Sequence, residues 1–287
     1  MRIVEKAYAK INWSLKVTGR RSDGYHELDM LMQSLELCDE LTLENARWLT
    51  LSVDGTKLPV GDKNIVIRAA NALNEISGQR NGARIRLMKR IPVRAGLGGG
   101  SADCAAALIG LNKLWNLRIP MQRMLKIGAA LGADVPFCLL GGMARAEGLG
   151  EILTPMENAP RLPLVLNRVG DGLGTPPVFA RYDEFPREME DVDTLKLAQA
   201  LRSGDPDAAD RLSGNALEAP AMELMPEIRD AMAQMRGLGA RMVRMTGSGS
   251  TVYGVFDSEE AAGKAAQSIP GAILTWTRDT QNFPQNR

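Results

Sequence analysis

The residues best placed to do chemistry in this 287-residue chain form the string Pro92-Val93-Arg94-Ala95-Gly96-Leu97-Gly98-Gly99-Gly100-Ser101-Ala102. Four glycines fall within the five positions 96–100, which lets backbone N–H groups close around an anion, and Ser101 adds a hydroxyl beside the positive end of the helix that follows. That arrangement suits a polyphosphate. A flexible connector capped by Ser101 is the plainer reading of the same residues. A P-loop would need Gly, four residues and Gly-Lys-Ser/Thr, a string the chain does not contain. A dinucleotide fingerprint would want glycine where Ser101 stands and would open a βαβ unit.

Three further segments carry candidate groups. Gly132-Ala133-Asp134-Val135-Pro136-Phe137 carries one carboxylate at a helix end, where an ordinary N-cap with proline soon after is the plainer reading. Met245-Thr246-Gly247-Ser248-Gly249-Ser250 joins two strands and reads as a hairpin or as a second glycine loop. Lys10 and Asn12 share the polar face of an alternating strand, Ile11 to Val17, which predicts half-burial.

Composition removes other chemistries. Lys and Arg number 35 against 34 Asp and Glu, so the bulk attraction used by nucleic-acid and membrane-surface binders is missing and any anion site must be local. A single histidine, His26, argues against a zinc site or a Ser-His-Asp triad. Cys38, Cys104 and Cys138 are odd in number, widely spaced and set among small or apolar neighbours, which predicts reduced thiols. The charged start Met1-Arg2-Ile3-Val4-Glu5-Lys6 is no signal peptide, and no run nears the roughly 18 apolar residues of a membrane span. The expectation is a cytoplasmic protein without nucleic-acid, membrane or obligate protein partners.

The elements that must position these groups follow from periodicity. The first third is strand-rich, with a turn at Ser22-Asp23-Gly24 and short strands at 28–35, 40–44 and 49–53. Helical spacing runs from Ile65 to Ile76 and stops at Gly78, and Ala83 to Arg90 alternates as a strand into Ile91-Pro92. Helices are predicted over 102–115 and 121–131. Beyond the proline-bearing stretch 158–163, a strand at 164–166, several helices, strands at 240–246 and 251–256, a helix from Ser258 and a strand near Ile273 complete the pattern. The order predicts an α+β protein of two domains, 1–157 and 158–287.

Taken in order, these segments resemble the GHMP kinases, whose phosphate loop is a Pro-x-x-x-Gly-Leu-Gly-Ser/Gly-Ser string. Within that superfamily, Ala9-Lys10-Ile11-Asn12-Trp13-Ser14-Leu15 and Asp23-Gly24-Tyr25-His26-Glu27 resemble the branch whose acceptor carries a cytidine diphosphate group in isoprenoid precursor synthesis. The resemblance implies an N-terminal ATP-binding domain and a C-terminal domain with an antiparallel sheet. ATP would lie on Pro92, Gly96, Leu97, Gly98, Gly99, Gly100, Ser101 and Ala102, with Mg²⁺ beside Ser101. Asp134 would take the acceptor's hydroxyl proton and Lys10 would steady the charge. Asn12, Tyr25, His26, Thr175 and Phe179 would hold the acceptor, Tyr25 and Phe179 clamping the base. The chain departs from the branch at Leu173-Gly174-Thr175, where a serine hydroxyl is missing, and at Met143, Leu149 and Ala216. A GHMP kinase for another small alcohol and a non-catalytic nucleotide-binding module are the alternatives.

Overall fold

The computed structural model describes residues 1–157, 159–184 and 192–279. The first part of the chain runs β1 (Arg2–Arg20), β2 (His26–Ala46), β3 (Thr50–Asp54), α1 (Ile65–Ser77), β4 (Gly82–Met88), α2 (Gly99–Leu114), α3 (Met121–Leu131), α4 (Val135–Leu140), β5 (Met143–Gly148) and β6 (Ile152–Met156). It continues with β7 (Pro163–Arg168), α5 (Thr175–Glu184), α6 (Thr194–Ser203), α7 (Pro206–Leu212), β8 (Gly214–Asn215), α8 (Glu218–Leu224), α9 (Glu227–Gly237), β9 (Met242–Met245), β10 (Thr251–Val255), α10 (Glu259–Ser268) and β11 (Ile273–Trp276).

Two sheets result. One has the order β3-β4-β2-β1-β8, with β5 on β2 and β6 on β5; the other is β11-β7-β10-β9, antiparallel at every pairing. Where separate strands at 28–35 and 40–44 were expected, β2 is continuous, because β1 pairs with it along nearly its whole length. Register shifts between Tyr8 and Lys10 and between Asn12 and Ser14 re-aim the side chains of β1 at that point. The β5–β6 hairpin turns at Gly148–Gly150. It is absent from the sequence-based expectation because Met143–Gly148 has no β-branched or aromatic residue.

Helix boundaries follow local chemistry. Asn64 caps α1 by accepting from Val66 N–H, and Gly78 ends it in the left-handed region. Helix α2 is buried nearly all round, from Ala102 to Leu114, as its small apolar residues predict for a helix between layers. It starts three residues earlier than expected, at Gly99, so Ser101 sits inside the first turn.

One core lies between the first sheet and α1, α2 and α3; a second gathers Leu15, Val17, Met30 and Met32 from β1 and β2 with Val165, Val243 and Val252 from the second sheet. Trp13 of β1 meets Tyr253 of β10 edge-on at 5.6 Å, and the Tyr253 hydroxyl donates to Asn12 O at 3.0 Å. The second sheet is therefore pinned to the first beside Asn12. Cys104 is buried, which pushes its thiol up to about 12; all three cysteines are free.

Candidate active site

The carboxyl end of β4, the glycine loop, the β1–β2 turn and the start of α5 face a common cleft of about 1140 Å³. All the site residues expected from sequence line it except Ala102, which is buried beneath, its N–H donating to Gly98 O at 2.9 Å.

Lys10 is the cleft's central cation. The polar face of β1, expected to be half-exposed, is buried: Lys10 is 4% exposed and Asn12 2%, because that face meets the glycine loop and the Thr246 turn rather than solvent. Lys10 N–H donates to Leu97 O at 3.0 Å, and the lysine stem lies against Gly98, where a Cβ would approach Lys10 Cγ to 2.9 Å. Gly98 is also left-handed, at φ 67, so this position requires glycine on both counts. Lys10 Nζ donates to Asn12 Oδ1 at 2.9 Å and lies 3.3 Å from Asp134 Oδ2.

Asp134 stands at the N-cap position of α4 yet makes no side-chain capping bond. Its carboxylate is instead turned to Lys10, with the Asp134 side chain 29% exposed and the lysine 5%. A carboxylate held by one buried ammonium and open to solvent on its other side can accept a proton from an entering hydroxyl.

Asn12 is fixed by groups far along the chain. Its N–H donates to Thr246 Oγ1 at 3.1 Å, and Thr246 Oγ1 approaches Asn12 Oδ1 at 3.4 Å and Gly96 O at 3.3 Å. Thr246 thus ties β1, the glycine loop and the 245–250 turn together.

At the far end of the cleft the Arg21–Tyr25 turn closes through Arg21 N–H to Tyr25 O, and Asp23 accepts from Tyr25 N–H at 3.1 Å. That backbone bond is the largest influence holding the Asp23 carboxyl below its usual value. Tyr25 is 64% exposed at the rim. His26 is buried; its ring stacks on Phe179 with centroids 4.8 Å apart, and its Nε2 is 2.8 Å from Asp183 Oδ1. Asp183 is a site residue that sequence reading misses, since 157 positions separate it from His26. Thr175 Oγ1 lies 3.0 Å from Ser248 Oγ.

Behind the glycine loop lies a buried cluster without a sequence signal. Lys89 Nζ donates to Asp39 Oδ2 at 2.5 Å and to Asp103 Oδ2 at 2.7 Å, while Asp39 Oδ1 accepts from Ile91 N–H at 2.8 Å. Burial, against the pull of Lys89, pushes the Asp103 carboxyl up to about 8.

For a magnesium ion the relevant donors are hard oxygens. The Ser101 hydroxyl faces the 132–134 segment, 3.8 Å from where a Cβ on Gly132 would stand. Among the described residues no group of three or more His, Cys, Asp or Glu side chains could hold a metal. A site with so few protein donors fits an ion carried mainly by phosphate oxygens and water.

The GHMP kinases N terminal domain profile matches residues 64–142 and the GHMP kinases C terminal profile residues 197–272. A 4-diphosphocytidyl-2-C-methyl-D-erythritol kinase of Moorella thermoacetica is 42% identical over 278 residues, covering 94% of this chain and 97% of the relative. The chain belongs to the 4-diphosphocytidyl-2-C-methyl-D-erythritol kinases of the GHMP kinase superfamily. It is an ATP-dependent small-molecule kinase. The Pelotomaculum thermopropionicum member of this kinase family is 41% identical over 268 residues, 93% of each chain. A crystal structure of a 4-(cytidine 5'-diphospho)-2C-methyl-D-erythritol kinase superposes with a TM-score of 0.83 at 36% identity, over 97% of this chain and 100% of that one. Homoserine kinase from Cytophaga hutchinsonii shares the fold, with a TM-score of 0.76 at 19% identity over 98% of this chain and 95% of that one.

Proposed function

We propose that the chain transfers the γ-phosphoryl group of ATP to the 2-hydroxyl of 4-diphosphocytidyl-2-C-methyl-D-erythritol, with residues 1–157 as the ATP-binding unit and 158–287 as the second unit. The observation that carries this reading is the single cleft that holds the Lys10–Asp134 pair beside the glycine loop and the His26–Phe179 ring pair at its other end. A kinase of this family needs both ends. ATP phosphates lie along Gly96 to Ser101, against backbone N–H groups and the amino end of α2. The acceptor hydroxyl gives its proton to Asp134 as its oxygen bonds to the γ-phosphorus; the bond to the bridging oxygen breaks and ADP leaves. Lys10 offsets negative charge on the transferred group, the main demand of phosphoryl transfer. Mg²⁺, bound with ATP beside Ser101, would supply neutralising charge on the phosphates. The base rests by Phe179 and Tyr25, His26 reads its edge, and Asn12 and Thr175 hold the body of the acceptor. No described helix is long and apolar enough to cross a membrane, which suits a cytoplasmic small-molecule enzyme.

The test is direct. Purified protein is incubated with ATP, Mg²⁺ and, separately, the cytidine diphosphate alcohol, homoserine and mevalonate, and phosphorus NMR follows product. A new phosphomonoester is expected with the first alone. Turnover of homoserine or mevalonate with none of the cytidine compound would overturn the reading.

A further inference from the structure

The cations of the cleft are not equally available. Lys10 is held by Asp134 and Asn12, and Lys89 by Asp39 and Asp103. Arg94 and Lys63 also line the cleft, both exposed, and neither has an ion-pair or hydrogen-bond partner for its side chain among the described residues.

Arg94 is held in place by its backbone. Its φ of 57 lies in the left-handed region, which is costly for a residue with a Cβ and is the region Gly96 occupies two positions later at φ 74. Its carbonyl oxygen is packed against the second half of the chain, where a Cβ on Gly172 would come within 2.0 Å of it. Arg94 Nη2 lies 3.9 Å from where a Cβ on Gly174 would stand. The guanidinium therefore occupies the space beside a position without a side chain. The next residue, Thr175, opens α5, and Phe179 follows one turn later against His26.

We propose that Arg94 binds the diphosphate of the acceptor. The inference rests on the cytidine diphosphate reading above and names the group that would meet that acceptor's charge. Leu173, Gly174 and Thr175 line the same cleft as the ring pair and Asp134, so they border the space a diphosphate between those two ends would occupy. The diphosphate brings charge in addition to that of the transferred phosphoryl group, which Lys10 serves, and Lys89 is already held by two carboxylates. A guanidinium presents paired N–H donors that match phosphate oxygens two at a time. The strained backbone and the bare position at 174 serve to present it there.

The experiment is calorimetric titration of CDP, cytidine and ADP into wild-type, Arg94→Ala, Arg94→Gly and Lys63→Ala proteins. For CDP and cytidine the ATP site is filled beforehand with a non-hydrolysable analogue. Both Arg94 variants should bind CDP about 10- to 100-fold more weakly, the range for one charge-assisted contact, while cytidine and ADP affinities hold. Arg94→Gly keeps the left-handed backbone without strain, so its melting temperature should equal or exceed wild type and loss of CDP binding cannot be ascribed to misfolding. Undiminished CDP binding would overturn the proposal. So would an equal loss of cytidine, which would mean that Arg94 shapes the pocket, a loss confined to ADP, which would assign it to the donor, or an equal CDP loss in Lys63→Ala, which would show a general charge effect. Wild-type protein that binds neither CDP nor cytidine would instead remove the cytidine reading, and this proposal with it.

Discussion

Asp134 occupies a position where a carboxylate ordinarily caps a helix, yet it leaves the α4 amides and turns to a buried lysine. That choice separates the two meanings its sequence context allows. Asp134→Asn should fold and bind ATP as the wild type does while turnover falls by about 10² to 10⁴, the usual cost of a lost general base. Steady-state rates together with circular dichroism check this, and unchanged turnover would return Asp134 to a structural role. Lys10 is a different case. Half-exposure would make its removal cheap, but at 4% exposure with Asp134 and Asn12 as partners its loss leaves polar groups unpaired and should cost stability as well as rate. Lys10 and Asn12 were legible as a polar pair on one strand face. Their burial was not, because what covers them comes from Gly98 and Thr246, far away in sequence.

At the scale of elements, the glycine loop is set by what lies beneath it. Strand β4 delivers Lys89 and helix α2 delivers Asp103, and the lysine joins both to Asp39 of β2. Lys89→Met leaves the buried Asp39 carboxylate without its cation and should cost about 3 to 5 kcal/mol near neutral pH. The pH dependence has a defined sign. The Asp103 carboxyl is already pushed up to about 8, so the folded state keeps a proton that the unfolded chain gives up. Such a group contributes stability at acid pH that is lost as pH rises through about 8. Without Lys89 that loss deepens, so the deficit of the variant should shrink when urea denaturation moves from pH 8 to pH 5. An equal deficit at both would mean that the carboxylates are not what the lysine serves.

Over the whole molecule, the cleft depends on two sheets that share a core. Leu15, Val17, Met30 and Met32 belong to the first sheet by pairing but pack with Val165, Val243 and Val252 of the second. The two-residue strand β8 pairs back onto Ser14 and Leu15 of β1. Unfolding either half exposes apolar surface on the other. Calorimetry should accordingly show one cooperative transition, shifted upward by saturating ATP analogue; at 100 times the dissociation constant the stabilisation is about 2.7 kcal/mol. Two resolved transitions, of which ATP analogue moves only one, would show that the halves melt independently.

What the sequence determined by itself was local. Glycine spacing specifies a backbone that can wrap an anion, Gly78 ends a helix, and alternation marks β1 and β4, because each depends on conformational preferences within a few residues. Ser22-Asp23-Gly24 likewise specifies a tight turn, which Asp23 closes onto Tyr25 N–H. Only the tertiary structure decided which polar groups are buried and which partner holds them. Asp183 meets His26 across 157 residues, and Thr246 meets Asn12 across 234. Lys89 carries no sequence signal, and its role appears only once Asp39 and Asp103 close on it. Charge neutralisation and desolvation depend on what stands within a few ångströms, and that is settled only when the sheets and helices pack.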